Sequence, residues 1–171
     1  IAFMASKISS EALKTLNPTL NYQVGDIQRL PIKTPTSDSI KMLIDEIITT
    51  NIDISKEDWN RQETAWDFMT NELIKLKNNN IKAAFECYKK DLIGRFWLLH
   101  RNEEELNRLF IEIYGLKNDL LPDVPIEQVT ILQEEAKIVN GELFIDSIQV
   151  FLQLFSYSVG CMFGRYSLDK P

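Results

Sequence analysis

The segment from Ile81 to Leu99 constrains this chain more than any other. Ile81, Ala84, Phe85, Tyr88, Leu92, Phe96 and Leu99 recur three to four positions apart, a spacing that lines one face of an α-helix for about five turns. A stripe of that length needs other elements to cover it. Six glycines and six prolines among 171 residues leave few of the tight turns that a sandwich or barrel requires. The chain is therefore expected to be mainly α, a multi-helix bundle of about five to seven helices, with a minor β element near residues 21–32. Its length is that of about one domain and is enough to bury a core.

The flanking segments predict further elements. Ile1, Phe3, Met4, Ile8, Ala12, Leu13 and Leu16 fit a first helix, with Ser9 or Ser10 capping a turn ahead of Glu11. Asn17-Pro18 should stop it, because proline pushes the preceding residue out of the helical region. Tyr22, Val24, Ile27, Leu30 and Ile32 predict one or two short strands that turn at Gly25-Asp26. "KTPTSDS" reads as a linker. Ser37 or Asp38 should then cap a helix to about Thr50, with Ile40, Leu43, Ile44, Ile47 and Ile48 on one face. Ser55-x-x-Asp58 predicts another short helix or turn carrying Trp59, Trp66 and Phe68. The two tryptophans are expected to anchor the core between helices rather than form a platform for a base, because the charges among them show no basic excess.

Downstream, Asn102 with Glu105 reads as a cap and capping-box partner opening a new helix. Glu103 and Glu104 would then occupy its favourable first turn. Gly115 should close that helix at C′. "NDLLPDVP" cannot be helical throughout, and Pro125 should open a short helix through Val129. Asn140-Gly141 marks a turn, and a last helix should run from near Asp146 to about Arg165. Ile148 to Phe163 is the most apolar stretch. It is too short for a span and carries Gln149, Gln153, Ser156 and Ser158, so a buried helix is expected instead. Gly160-x-x-x-Gly164 is a small-residue pattern that lets another helix come close.

Chemistry is sparse. His100 is the single histidine and reads as a surface or capping residue. Cys87 and Cys161 lack metal-ligand spacing and read as reduced, buried thiols of a cytosolic protein. Glu103-Glu104-Glu105 and Glu134-Glu135 have no histidine partner, so no metal site stands out. An independent enzyme is the least supported reading, because no nucleophile–base constellation is visible.

The net charge of -6 does not suggest a free nucleic-acid binder. One region departs from it. Asn71 to Arg108 holds eight basic residues against six acidic ones, leaving eleven basic and nineteen acidic for the rest. Lys75, Lys82 and Lys89 are seven apart, roughly one stripe of a helix. With Lys90 they are candidate contacts to a DNA backbone, weighed against an ordinary solvated face.

Longer runs carry a resemblance. "IAFMASKISSEALKTLNPTLNYQVGDIQRLPI" is similar to the end of a target-recognition region in large bacterial adenine-specific DNA methyltransferases of the type IIG kind. "SKEDWNRQETAWDF", "RNEEELNRLFIEIYGLKNDLLPDVP" and "SYSVGCMFGRYSLD" resemble the PglX-like methyltransferases of BREX phage-defence systems. The resemblance runs collinearly over nearly the whole chain. "NRLFIEIYGL" and "VGCMFGRYSLD" are its most specific pieces.

This resemblance implies a parent that moves a methyl group from S-adenosylmethionine to adenine N6 in a short non-palindromic DNA site. Double-stranded DNA and defence-system subunits would be its partners, with no membrane role, and the cytoplasm its location. The family's Asn-Pro-Pro-aromatic loop is not matched, since Asn17-Pro18 is followed by Thr19 and Leu20. No Gly-rich strand-to-helix turn appears either. No catalytic, cofactor or metal residue is therefore carried over. The chain starts mid-pattern without an initiator methionine and reads as a piece of a longer polypeptide, outside the catalytic domain. Residues 1–33 would end a target-recognition region, 34–130 form a helical spacer, and 131–171 start a further helical segment. The alternative is a helical protein–protein interaction module with no direct DNA contact.

Overall fold

A computed structural model describes residues 1–19 and 21–167. Leu20 and the final "LD" of the "SYSVGCMFGRYSLD" run lie outside the described residues. The fold is mainly α with a minor β element, as the composition implies. The helices are α1 (Lys7–Leu16), α2 (Val24–Gln28), α3 (Asp38–Asn60), α4 (Glu72–Lys75), α5 (Ile81–Tyr114) and α6 (Ser147–Met162). The strands are β1 (Ala136–Val139) and β2 (Glu142–Ile145), an antiparallel hairpin pairing Ala136 with Ile145.

The β element is not where the alternation of residues 21–32 placed it. That segment instead forms α2, opened by Asp26, whose carboxylate accepts the Gln23 N–H at 3.0 Å while the Asp26 N–H donates to the Gln23 carbonyl. The Asn17 amide also donates to Asp26 Oδ2 at 2.7 Å. A strand needs a neighbour for its backbone groups, whereas this turn pairs several of its own, the Ile27 N–H with the Gln23 carbonyl and the Leu30 N–H with that of Ile27. The hairpin lies at Asn140-Gly141. Both residues have positive φ, 53° and 79°, the conformation a two-residue type I′ turn demands.

Two long helices replace four expected shorter ones. α3 runs through Ser55 and Asp58 without a break, and α5 runs through Asn102. Asn102 does not cap a helix. Its amide donates to Asn51 Oδ1 at 2.7 Å, so a tertiary partner takes the place of a helix end. Glu103, Glu104 and Glu105 accordingly sit mid-helix rather than in a first turn. α5 does end at Gly115, at φ 72°. The Gly115 N–H donates to the Glu112 carbonyl and the Leu116 N–H to that of Ile111, which is the Schellman pattern.

The residues group into two compact units. One comprises Ile1–Ile52 and Leu99–Pro125. Its core joins α1, α3 and the second half of α5 through Phe3, Ile8, Ile44, Ile47, Leu106 and Phe110. Asn17 ends α1 as expected, in an extended conformation with its N–H on the Leu13 carbonyl. The start of α1 is held from afar. The Ser6 hydroxyl donates to the Phe3 carbonyl and makes no cap. The Lys7 N–H donates instead to Asn107 Oδ1 at 2.7 Å, and the Asn107 amide donates to the Pro122 carbonyl. His100 is likewise not a surface residue. Its side chain is largely buried, with Nε2 2.7 Å from the Val124 carbonyl oxygen.

The other unit comprises Asp53–Leu98 and the described residues from Ile126 onward. Tyr88, Leu92 and Phe96 of α5 are buried in it, as are Leu132 and, on α6, Val150, Leu154 and Tyr157. A short 3-10 helix, Ile126–Gln128, follows Pro125. Asp146 caps α6, accepting the Ile148 N–H at 3.0 Å.

Several expectations for this unit are overturned. Trp66 is 100% exposed and Trp59 59% exposed, so neither anchors a core. Trp66 follows buried Ala65 in an irregular segment, so the seven-residue spacing from Trp59 no longer means a shared face. Cys87 is exposed rather than buried, on the side of α5 away from Tyr88 and Leu92. α6 is buried along one side only. Gly164 belongs to no helix–helix face. At φ 72° it ends α6, with the Arg165 N–H on the Gly160 carbonyl. The Tyr166 ring lies where a Gly160 Cβ would stand, 2.6 Å away, so a side chain of the same segment fills the space expected for another helix. Among the described residues no helix is long and apolar enough to cross a membrane.

Candidate nucleic-acid interface

The candidate lysines lie on two elements. Lys75 is the last residue of α4, where its Nζ pairs with Glu72 at 3.2 Å. Lys82, Lys89 and Lys90 lie on α5, whose first turn is fixed by the Asn80 side chain accepting the Ala83 N–H at 2.8 Å. Burial of Ala84, Tyr88 and Leu92 turns the three lysines outward by helical geometry. Lys82 and Lys90 are exposed and Lys89 half-buried. Lys75 thus does not continue the α5 stripe. Glu86 stands within the stripe, four residues after Lys82 and four before Lys90, where side chains on a helix are neighbours. The face therefore carries three cations and one acid on two turns.

A cleft of about 790 Å³ opens in the same unit beside α4. Glu57, Arg61, Glu72, Lys75, Lys77 and Arg95 contribute to its lining. Most of that charge is already matched. Arg95 pairs with Glu57 and, through Nε, with Asp91 Oδ2 at 2.8 Å. Arg61 reaches the same Asp91 oxygen at 3.3 Å and lies over the Tyr88 ring, 5.7 Å from its centroid. Lys77 sits at φ 46° just past the end of α4, with its N–H on the Ile74 carbonyl. A lysine there accepts backbone strain that glycine avoids.

Beneath this network lie two carboxyl groups, Asp58 and Glu135. Burial pushes the Asp58 carboxyl above the usual carboxylate range, and the charge of Glu135 adds to the effect. The Leu132 N–H, Arg61 and Arg95 oppose it. Burial also pushes the Tyr88 hydroxyl up. Glu135 is itself buried and accepts from the Gln153 amide at 3.0 Å. Sequence reasoning missed this group. Arg61 and Asp91 are thirty positions apart and Asp58 and Glu135 further still, so no local pattern ties them. Among the described residues no three His, Cys, Asp or Glu side chains are grouped to hold a metal.

No protein-family model and no solved structure matches the chain. Two curated proteins do. The first, the adenine-specific methyltransferase PglX of Lacticaseibacillus casei (strain Zhang), is 35% identical over 176 aligned positions that take in 100% of this chain. The chain is similar to PglX from end to end. The adenine-specific methyltransferase BrxX of Escherichia coli O9:H4 (strain HS) is 29% identical over 99% of the chain. The chain spans only 13% of the length of PglX and 14% of that of BrxX. The resemblance read from the quoted motifs thus extends over the whole chain, including the α2 segment, where a strand was expected, and the β1–β2 hairpin.

Proposed function

We propose that this chain is a non-catalytic helical region of an S-adenosylmethionine-dependent N6-adenine DNA methyltransferase in a bacterial phage-defence system of the BREX or type IIG kind, acting in the cytoplasm. The observation that carries this reading is the similarity to PglX over the whole of this chain, which spans 13% of the length of PglX. Residues 1–33 would close the target-recognition region, 34–130 would act as spacer, and 131–171 would begin a further helical part. Lys82, Lys89 and Lys90, with Lys75 on α4, would contact phosphates of double-stranded DNA.

The residues present do not fit S-adenosylmethionine. The single strand-to-helix passage among the described residues, from β2 to α6, goes through Asp146. It has no glycine to admit a nucleotide close to the backbone. The cofactor would belong to the parent polypeptide.

The test uses the polypeptide encoded by the full reading frame. Its binding to double-stranded DNA should weaken with salt. Replacing Lys82, Lys89 and Lys90 by Ala should flatten the log–log salt slope by roughly 0.9 for each phosphate that is no longer neutralised. An unchanged slope and affinity would show that α5 does not meet DNA. The second reading, a protein-interaction module, is favoured by the apolar outer side of α6 and predicts that unchanged slope.

A further inference from the structure

The cleft beside α4 is lined by Arg61 and Lys77, whose donors the neighbouring carboxylates leave largely unused. The Arg61 side chain is only 8% exposed. A guanidinium is a fork of N–H donors, yet among the described residues only Nη2 of Arg61 finds an acceptor, Asp91 Oδ2 at a long 3.3 Å. That oxygen also accepts Arg95 Nε at 2.8 Å, so it is shared. Nε and Nη1 of Arg61 donate to no described residue. Neither is sealed off, since no fully buried side-chain nitrogen among the described residues lacks a partner. They keep access to solvent, and the cleft that Arg61 lines supplies it. A charged group so far withdrawn from water, with most of its donors idle, costs free energy. It fits a missing acceptor.

Lys77 brings a second cation to the same cleft. It holds a left-handed φ of 46° where glycine would be free of strain, and such strain is kept where a side chain is needed in place. Its ammonium meets no carboxylate among the described residues. The other cleft cations are taken, Lys75 by Glu72 and Arg95 by Glu57 and Asp91. Asp58 acts on Arg61 only through its charge, without an ion pair. Asp67, the remaining acid of the lining, is exposed. The acceptor for Arg61 and Lys77 must therefore come from outside. A guanidinium fork beside an ammonium suits the several oxygens of a phosphate. The cleft volume of about 790 Å³ is that of a small-molecule site, and Met69 and Ile74 add an apolar wall for the rest of a ligand. A fork this buried is withdrawn from the backbone of a rigid duplex, which meets exposed side chains.

We infer that the cleft beside α4 binds a small phosphate-bearing molecule, its phosphate held by the Arg61 fork and the Lys77 ammonium. Such a site needs neither duplex DNA nor methyl transfer, so it stands or falls apart from the proposed function.

The experiment acetylates the native full reading-frame product and reads each lysine by peptide mass spectrometry. It is run with inorganic phosphate, a nucleoside 5′-monophosphate, the bare nucleoside or duplex DNA. Millimolar phosphate or monophosphate should slow acetylation of Lys77 by at least about threefold, while Lys56, exposed and outside the cleft, is unchanged. Stronger protection by the monophosphate would make the ligand an organic phosphate, and equal protection the free ion. Arg61→Lys keeps the charge but loses the fork, and should raise the phosphate concentration required by about tenfold. Lys77→Gly relieves the backbone strain and should abolish the protection that phosphate gives Lys75 in the same cleft. No protection of Lys77, equal protection by the bare nucleoside, or unchanged protection in Arg61→Lys would overturn the inference. Protection by duplex DNA alone would also overturn it, and would join Lys77 to the α5 lysines. Adenine methylation, read separately on the same product, reports on the methyltransferase reading alone.

Discussion

The two units solve opposite problems. The unit formed by Ile1–Ile52 and Leu99–Pro125 gathers Phe3, Ile8, Ile44, Ile47, Leu106 and Phe110 into one core and uses buried amides to hold backbone. Leu106 is 1% exposed, Phe3 meets Phe110 edge-on at 5.9 Å, and Asn107 ties α1 to the segment before Pro125. The other unit does the reverse along α6. It buries Glu135 and most of Arg61 and half-buries Asp58 while leaving Phe155 66% and Met162 84% exposed. Burying charge costs free energy unless it is paired, and exposing a row of large apolar groups forgoes stabilisation.

That contrast is tested most strongly by paired truncations. Leu106→Ala should cost about 2–5 kcal/mol in urea unfolding, because the site cannot collapse round a lost isobutyl group. Leu152→Ala in the same 171-residue chain should change stability by less than about 0.5 kcal/mol. Equal losses would mean that the α6 face is covered within this chain, and the contrast would fail.

Asn107→Ala should cost about 1–3 kcal/mol, since it leaves the Lys7 N–H and the Pro122 carbonyl without a partner in a largely buried place. A loss under about 0.5 kcal/mol by urea unfolding would show that water replaces the amide.

The smallest effect concerns Asp58. Its folded-state pKa is raised, chiefly by burial and then by Glu135. The folded chain therefore holds this proton more tightly than the unfolded chain does. Its contribution to stability falls as pH rises from the ordinary aspartate value, 3.8, through the folded value. Asp58→Asn, which keeps an oxygen for the Leu132 N–H, should gain up to about 1 kcal/mol over the native chain at pH 7. The gain should vanish below the ordinary carboxylate range. Urea midpoints at pH 7 and pH 3.5 check the sign. A variant weaker at pH 7 would show that attraction to Arg61 and Arg95 outweighs burial.

Much of the fold was legible because local grammar and tertiary structure agreed. Pro18 stopped α1, Gly115 closed α5, Asn140-Gly141 made the hairpin turn, and Asp146 capped α6. Each depends on backbone geometry within a few residues. The errors share one cause. Ser55 and Asn102 look like caps, yet a cap residue inside a long helix is tolerated where packing on either side continues. Val24 and Ile27 look like a strand, yet a strand with no neighbour is worth less than a turn of helix closed by Gln23 and Asp26. Of the candidate site, the α5 lysines were legible from spacing. Their interruption by Glu86 was legible too, whereas the displacement of Lys75 onto α4 was not.

By itself the sequence determined that the chain is mainly helical, where several of its helices end, and which proteins it resembles. These follow from side-chain periodicity, from the fixed geometry of proline and glycine, and from collinear motifs. Only the tertiary structure decided that Asn102 pairs with Asn51 and Asn107 with α1, that Trp59 and Trp66 face outward, and that α6 is buried on one side alone. Periodicity says which residues share a face of an element. Whether that face meets another depends on packing between segments as many as a hundred residues apart, as with Lys7 and Asn107, and no local pattern encodes it.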